Sequence, residues 1–130
     1  MSTPANPPAD LVAWLRQQLD DDEEVASDAA GLSASRSRWM RDAISCVVDA
    51  TDNGLIVYGE GTPTPEQAEH IARHDPARVL AEVDAKRRIL DAYKQTEFGD
   101  LARHSALEEA LALLALPYAG RPGYREEWRP

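Results

Sequence analysis

The chain has 130 residues, of which 43% are hydrophobic and 28% are charged, and its formal net charge is −9. This length predicts one globular domain with a modest core, and the hydrophobic content excludes an intrinsically disordered chain. The negative charge disfavours duplex nucleic acid and anionic membrane as partners, because both would repel the average surface. Two partner classes remain, namely a basic protein surface and a small anionic ligand at a locally basic position.

The cysteine content and the N-terminus indicate a cytoplasmic protein. A single cysteine, Cys46, excludes an internal disulfide and fits a reducing compartment. The N-terminus lacks the basic and apolar regions of a signal peptide, and no apolar run approaches the roughly 18 residues that a membrane span requires. Residues 1–8 are rich in proline, which predicts a flexible N-terminus ahead of a single globular domain over residues 9–130.

The first predicted element is an amphipathic helix. Leu11, Leu15 and Leu19 recur at the spacing that places side chains on one helix face. An acidic run at residues 20–24 follows them. Such a run is typical of a solvated helix surface, and it could also dock a basic partner.

A β-hairpin is predicted next, in a stretch that begins at Trp39. Asn53-Gly54 separates the apolar residues 44–48 from residues 55–58, and this dipeptide favours the type I′ turn of a two-residue hairpin loop. A lone hairpin is only marginally stable in water. We therefore expect it to pack against a helix, to find a third strand or to pair with a second copy of the chain.

The sequence Asp75-Pro76 is the strongest local signal, because it predicts a break between two helices. Thr64 begins a capping box that predicts a short helix, and this helix should end near His74, since the residue before a proline avoids the α region. Asp75 is a preferred N-cap residue, and proline is favoured at the first position of a helix. The main helix is therefore predicted from Pro76 to about Phe98.

The last helix is predicted to begin at a further capping box, Ser105 to Glu108, and to end before Pro117. The C-terminal tail contains three large aromatic side chains that predict packing against the body of the protein, namely Tyr118, Tyr124 and Trp128. Together the elements predict an α+β fold, mostly α, with three principal helices, one short helix and a β-hairpin packed against them.

Three segments of the chain resemble a known family. They contain HIARHDPARVL and AKRRIL between Glu69 and Leu90, LLALPYA and PGYREEWRP between Leu113 and Pro130, and LVAWLR from Leu11 to Arg16. These segments are similar to an actinobacterial family of unknown function, whose members occur in Streptomyces-type genomes, in their phages and in integrated elements. The resemblance implies a protein associated with a phage or mobile element, and it supplies no catalytic residue.

Basic side chains surround the predicted start of the main helix. Arg73, His74 and Arg78 lie beside helix amides that bind anions readily, unless Asp75 occupies those amides as the N-cap. This arrangement predicts a small-ligand site at the helix start.

Lys86 and Arg87 lie within and beside the predicted apolar stripe of the main helix. Either side chain could line a groove between this helix and the hairpin and reach an anionic ligand. Alternatively, Lys86 snorkels and the run forms surface ion pairs at i,i+4, namely Glu82–Lys86, Asp84–Arg88 and Arg87–Asp91. The full set of candidate ligand-binding residues is Arg73, His74, Arg78, Lys86, Arg87 and Trp39.

Two histidines at i,i+4, His70 and His74, could present metal ligands on one helix face, with His104 as a third ligand. Pro76 argues against this site, because it places His74 at the end of its helix, where a histidine also bonds to free carbonyls. We expect no cofactor.

The sequence favours a non-enzymatic accessory protein of an actinobacterial phage or mobile element that binds a partner protein. The open edge of the hairpin also predicts a homodimer, since pairing would cover it. A protein that binds or sequesters an anionic nucleotide is the second hypothesis. A metal-dependent enzyme that uses His70, His74 and His104 is the third.

Overall fold

Four helices and three short strands form the regular structure in the described part of the chain. The computed structural model describes residues 7–31, 34–50, 54–59, 61 and 63–130. The helices are α1 (Pro7–Ala30), α2 (Pro65–Arg73), α3 (Pro76–Gln95) and α4 (Leu101–Ala115), and the strands are β1 (Trp39–Arg41), β2 (Val47–Asp49) and β3 (Leu55–Val57). The predicted α+β class, mostly α, is confirmed. No helix among these residues is long and apolar enough to cross a membrane.

The N-terminal boundary of α1 lies close to the predicted one. The helix begins at Pro7, so the last two residues of the segment predicted to be flexible are helical. The rest of that segment, residues 1–6, lies outside the described residues. The chain divides into two compact units, which we call the terminal unit (residues 7–21 and Asp84–Pro130) and the central unit (Asp22–Val83).

Large apolar side chains form the core of the terminal unit. Leu15, Leu19, Leu90 and Leu111 are its largest fully buried side chains. The first two belong to the leucine repeat of α1, which confirms that this repeat marks the buried face of the helix. Burial of leucine and aromatic side chains provides the main stabilising free energy of a small unit like this one.

The C-terminal tail packs against α1, as its aromatic residues predict. The ring centroid of Trp14 lies 5.6 Å from that of Tyr124 and 5.5 Å from that of Trp128. The indole nitrogen of Trp14 donates a hydrogen bond of 3.0 Å to the carbonyl oxygen of Pro122. Gly123 allows this close approach, because its φ is +91° and a Cβ atom there would lie 2.7 Å from the indole nitrogen of Trp14.

The ends of α3 and α4 differ from the prediction. Helix α3 ends at Gln95 and not near Phe98, and the Thr96 hydroxyl donates to the carbonyl oxygen of Tyr93 within the turn that follows. Helix α4 begins four residues before the predicted Ser105, because the Asp100 carboxylate accepts a hydrogen bond from the Arg103 amide at 3.0 Å and caps the helix there. An aspartate caps a helix at least as well as a serine does.

The strands form one antiparallel sheet in the central unit, in the order β1-β2-β3. Of the three alternatives for stabilising the hairpin, the chain uses a third strand, β1, and packing against α2. One face of the sheet packs on α2 around Val47, Ala68 and Ala72, with partly buried Trp39, Val57 and Ile71 beside them. The sheet therefore has one covered face.

The loop between β2 and β3 is longer than the two-residue turn predicted at Asn53-Gly54. Residues 50–54 separate the strands, and the Asp49 amide donates to the carbonyl oxygen of Gly54 at 2.8 Å. The type I′ turn predicted at Asn53-Gly54 requires a positive φ at both residues. The prediction is wrong at Gly54, whose φ is not positive, and Asn53 lies outside the described residues.

Candidate functional site

The corner between α2 and α3 forms as the sequence predicts. Thr64 accepts a hydrogen bond from the Gln67 amide at 3.2 Å, and the Gln67 side chain accepts one from the Thr64 amide at 2.9 Å, which completes the capping box. Helix α2 ends at Arg73, with His74 as its C-cap, and α3 begins at Pro76. The helix break at Asp75-Pro76 is thereby confirmed.

Asp75 joins this corner to the sheet. Its Oδ1 atom accepts a hydrogen bond from the Arg78 amide at 2.8 Å, and its Oδ2 atom accepts one from the Trp39 amide at 3.1 Å. Asp75 is therefore the N-cap of α3. Of the two alternatives for the amides at the helix start, a bound anion or the Asp75 side chain, the structure has the second. Since Pro76 has no N–H and the Arg78 amide is already bonded, two of the first three residues of α3 offer no free amide to a ligand.

A cleft at the corner collects basic side chains from three elements. Its volume is about 740 Å³, and we call it the arginine cleft. Its lining residues are Arg41 from β1, Pro65, Glu66, Glu69, His70 and Arg73 from α2, His74 from the C-cap, and Arg78 from α3. The structure thus brings together three of the predicted ligand-binding residues, Arg73, His74 and Arg78.

Carboxylates position the guanidinium groups of this cleft. Glu69 pairs with Arg73 at 3.0 Å and with Arg41 at 3.8 Å, whereas Arg78 pairs with Glu82 at 2.9 Å. Each pair involves the Nε atom of the arginine.

Arg41 was not predicted as a site residue. The pairing register of the three-residue strand β1 brings it to α2, and the spacing of residues in the sequence does not reveal this register.

The imidazole rings of His70, in α2, and His74, at its C-cap, lie next to each other at an interplanar angle of 40°. Their ring centroids lie 4.3 Å apart, and Nδ1 of His74 is 2.7 Å from the carbonyl oxygen of His70. A carbonyl oxygen only accepts, so Nδ1 of His74 carries the proton. Within the described residues, no group of three or more His, Cys, Asp and Glu side chains could hold a metal ion.

His104, the third histidine of the metal hypothesis, lies in the terminal unit and contacts a neighbouring tyrosine. Its ring stacks on Tyr93 with the ring centroids 4.3 Å apart, and its Nδ1 atom is 3.0 Å from the Thr96 hydroxyl oxygen. Both contacts explain the position of this imidazole without a metal.

The other predicted ligand-binding residues have structural contacts. Lys86 donates a hydrogen bond of 2.9 Å to the Tyr118 hydroxyl and lies over its ring at 5.1 Å. Trp39 donates from its indole nitrogen to the carbonyl oxygen of Arg36 at 3.1 Å. None of Lys86, Arg87 and Trp39 lines the arginine cleft.

Only one of the three predicted i,i+4 ion pairs forms. Arg88 pairs with Asp84 at 3.0 Å, as predicted. Arg87 pairs with Asp20 at 2.7 Å in place of Asp91, which pairs with Arg16, and Glu82 pairs with Arg78 in place of Lys86. Tertiary contacts thus replace the pair Arg87–Asp91, whereas Glu82 forms the neighbouring local pair with Arg78.

The second face of the sheet presents apolar side chains to the surface. Met40, Val48 and Leu55 are register partners across β1, β2 and β3, so they form one row. Val48 is buried, whereas Met40 is 46% exposed and Leu55 is 56% exposed. Further exposed apolar side chains in the same region are Ile44, Ile56 and Tyr58.

The terminal unit contains a second cleft of about 490 Å³, lined by Ala9, Val12, Arg16, Tyr93, Lys94, Glu97, His104 and Glu108. Burial raises the pKa of Tyr93 above its usual value, and the nearby carboxylates of Glu108 and Glu97 raise it further. Two basic side chains, Arg16 and Lys94, and two carboxylates, those of Glu97 and Glu108, line this cleft, so these four charges cancel.

The fold and these surfaces define a small, mostly helical α+β protein with an exposed sheet face. The sequence model of a family of unknown function, DUF6221, matches residues 8–130. The chain therefore belongs to this family. No curated protein and no solved structure matches the chain.

Proposed function

We propose that this protein is a non-enzymatic accessory protein that binds a basic partner protein through the exposed face of its sheet. The observation that carries the proposal is the exposure of Met40 and Leu55 at the two ends of the row whose centre is the buried Val48. Large exposed apolar side chains that cluster on a protein surface mark interaction sites. Five of the nine large apolar side chains exposed in the described residues lie between residues 40 and 58, which concentrates this surface in one place.

The open edge of β3 supports an extended partner segment. Since the strand order is β1-β2-β3, β3 is an outer strand, and no strand pairs with its outer edge within the described residues. Exposed strand edges accept a strand from another protein, with backbone hydrogen bonds for affinity and side-chain contacts for specificity. Ile56 and Tyr58 are exposed along this edge and would contact such a segment.

Charge specifies the chemistry of the partner. The sequence from Asp42 to Thr64, which includes β2 and β3, contains four acidic residues and neither lysine nor arginine. A basic partner segment would be attracted to this region, and such complementarity favours fast and specific association. A second copy of the chain would instead bring the same acidic stretch to the interface, so we favour a basic partner over a homodimer.

The resemblance of the segments Glu69–Leu90 and Leu113–Pro130 to actinobacterial phage and mobile-element proteins supports the biological setting. Such a partner would be another protein in the actinobacterial cytoplasm with a basic surface. An accessory protein of this kind acts by occupying its partner and needs no catalytic group.

Two synthetic hexapeptides test this proposal on the full chain, one alternating lysine and valine and one alternating glutamate and valine. We expect the basic peptide to shift the amide NMR signals of residues 55–58 and to bind more weakly as NaCl rises from about 50 to about 300 mM, because salt screens the attraction. The acidic peptide should leave these signals unchanged. Leu55→Lys should weaken binding of the basic peptide by about tenfold or more, because it removes apolar contact and adds a like charge.

Leu113→Lys is the matched control, because Leu113 is 53% exposed and lies outside the sheet. Equal binding of both peptides, or equal losses in the two variants, would contradict the proposal. Sedimentation equilibrium tests the alternative that the chain forms a homodimer. A dimer mass at tens of micromolar that Leu55→Lys converts to a monomer mass would assign the surface to a second copy of the chain.

A further inference from the structure

The arginines of the central unit are distributed unevenly. The sequence from Asp22 to Val83 contains twelve acidic residues, five arginines and no lysine. Three of the five arginines, Arg41, Arg73 and Arg78, line the arginine cleft, together with two of the three histidines of the chain. An acidic unit thus gathers most of its positive charge in one place. Arginines that served only to solvate the surface would not have to lie together in one cleft.

We infer that the arginine cleft binds a phosphate group, either free or as part of a phosphate monoester. This site differs in position and chemistry from the exposed face of the sheet, so the inference goes beyond the proposed function. Guanidinium groups bind phosphate oxygens through paired N–H donors, and they keep their charge at any physiological pH.

The geometry leaves the necessary donors accessible. Arg73 and Arg78 each donate from Nε to a carboxylate, at 3.0 and 2.9 Å. Within the described part of the chain, no hydrogen bond involves a terminal nitrogen of Arg41, Arg73 or Arg78. The carboxylates therefore restrain each guanidinium while its terminal N–H groups stay free for a ligand, which lowers the entropy cost of binding.

The lining also limits the chemistry and size of the ligand. Three arginines face two glutamates in the lining, Glu66 and Glu69, and Glu82 pairs with Arg78 from outside it, so the charges of these six groups cancel and the ligand is selected by the free N–H donors. The volume of about 740 Å³ falls within the range of small-molecule sites. A shallower pocket that shares Glu66 and His70 continues from it along Pro63, Gln67 and Ile71. A phosphate monoester with a planar organic group would extend into this pocket.

Titration of the full chain with inorganic phosphate and with adenosine 5′-monophosphate tests the inference, with the Nε–H NMR signals of the arginines as the readout. We expect both probes to shift the signals of Arg73 and Arg78. Tighter binding of the nucleotide would identify the ligand as an ester, and equal binding would identify it as free phosphate. Arg73→Gln and Arg78→Gln should each weaken binding by about fivefold or more, the size expected for loss of one charge-assisted contact.

Arg88→Gln is the matched control. Arg88 also pairs with a carboxylate at i,i+4, at 3.0 Å from Asp84, and it is 79% exposed. This variant should bind phosphate within about twofold of the unmodified chain, since an exposed charge outside the cleft is screened. Glu66→Gln should strengthen binding about threefold, because it removes a like charge from the lining.

Three results would overturn the inference. The first is the absence of any NMR shift at about 10 mM of either probe, a concentration far above the dissociation constant of a specific site. The second is an equal loss in Arg88→Gln and Arg73→Gln, which would indicate general charge attraction. The third is weaker binding by Glu66→Gln in a chain whose thermal midpoint is unchanged.

Discussion

The two units of this chain differ in how they use their large apolar side chains. Of the five largest fully buried side chains, four belong to the terminal unit, and Val47 alone belongs to the central unit. The central unit instead has alanines at the centre of its core and leaves Met40, Leu55 and Tyr58 exposed. Apolar area that stays in contact with water gives no stability, so it is available for a partner.

Charge follows the same division. The terminal unit has eleven acidic and nine basic residues, counting from the first residue, whereas the central unit has twelve acidic residues and five arginines. Many charges of the terminal unit are paired along its surface, as in Arg16 with Asp91 and Arg125 with Asp10. The central unit instead gathers three of its five arginines in the arginine cleft. The terminal unit therefore holds most of the large buried side chains, and both of the binding surfaces proposed above lie in the central unit.

The largest expected effect is the loss of an aromatic side chain from the terminal unit. Trp128 is 5% exposed and contacts both Trp14 and Tyr124. Trp128→Ala should lower the free energy of unfolding by about 3–5 kcal/mol, because it removes buried area and leaves a cavity. Val47→Ala in the central unit should cost only about 1–3 kcal/mol, since fewer buried atoms are lost.

Urea denaturation followed by circular dichroism measures both values. Phe98→Ala serves as the control, because Phe98 is 96% exposed and its loss should change stability by less than about 0.5 kcal/mol. If Val47→Ala were as costly as Trp128→Ala, the expected difference between the two units would be contradicted.

A smaller effect is expected at the corner that supports the arginine cleft. Asp75 bonds to two amides, those of Arg78 and Trp39, and thereby attaches the start of α3 to β1. Asp75→Ala should cost about 1–2 kcal/mol in urea denaturation, which is the usual cost of losing an N-cap. Asp75→Asn should recover about half of this loss, because an asparagine side chain keeps one acceptor oxygen for the Arg78 amide and has an NH2 group in place of the oxygen that accepts from the Trp39 amide. Equal losses in the two variants would show that the N-cap bond to the Arg78 amide does not stabilise the corner.

Features encoded by adjacent residues could be predicted from the sequence. The capping box at Thr64, the break at Pro76 and the leucine repeat of α1 each depend on a local rule, and each agrees with the structure. The predicted start of α4 was wrong, although a helix cap is also a local feature. Two acceptable N-cap residues, Asp100 and Ser105, lie within one and a half turns of each other, and their N-cap preferences are nearly equal.

Features that depend on long-range register could not be predicted. Lys86 bonds to a tyrosine that lies 32 residues further along the chain, so no spacing indicates the contact. Strands of three residues are too short to show an alternating pattern. For this reason the row Met40–Val48–Leu55 and the position of Arg41 in the arginine cleft appear only once the strands are paired.

The smallest expected effect distinguishes the clefts of the two units through the ionisation of Tyr93. Burial raises the pKa of this phenol first of all, and the carboxylates of Glu108 and Glu97 add to the effect because they repel the phenolate. A raised pKa in the folded state means that its stability contribution is complete below the unfolded pKa and is lost as pH rises through the folded value. Glu108→Gln should therefore lower the midpoint of the Tyr93 titration, because it removes one of the two carboxylates that repel the phenolate.

The Cζ chemical shift of Tyr93, followed by NMR between neutral and alkaline pH, measures this midpoint. Glu109→Gln is the control, since Glu109 is adjacent in sequence but does not contribute to the raised pKa of Tyr93. A drop of equal size in both variants would assign the effect to the general negative charge of α4. A drop confined to Glu108→Gln would show that the Glu108 carboxylate disfavours negative charge at Tyr93. The opposite behaviour, attraction of an anion, is expected for the arginine cleft.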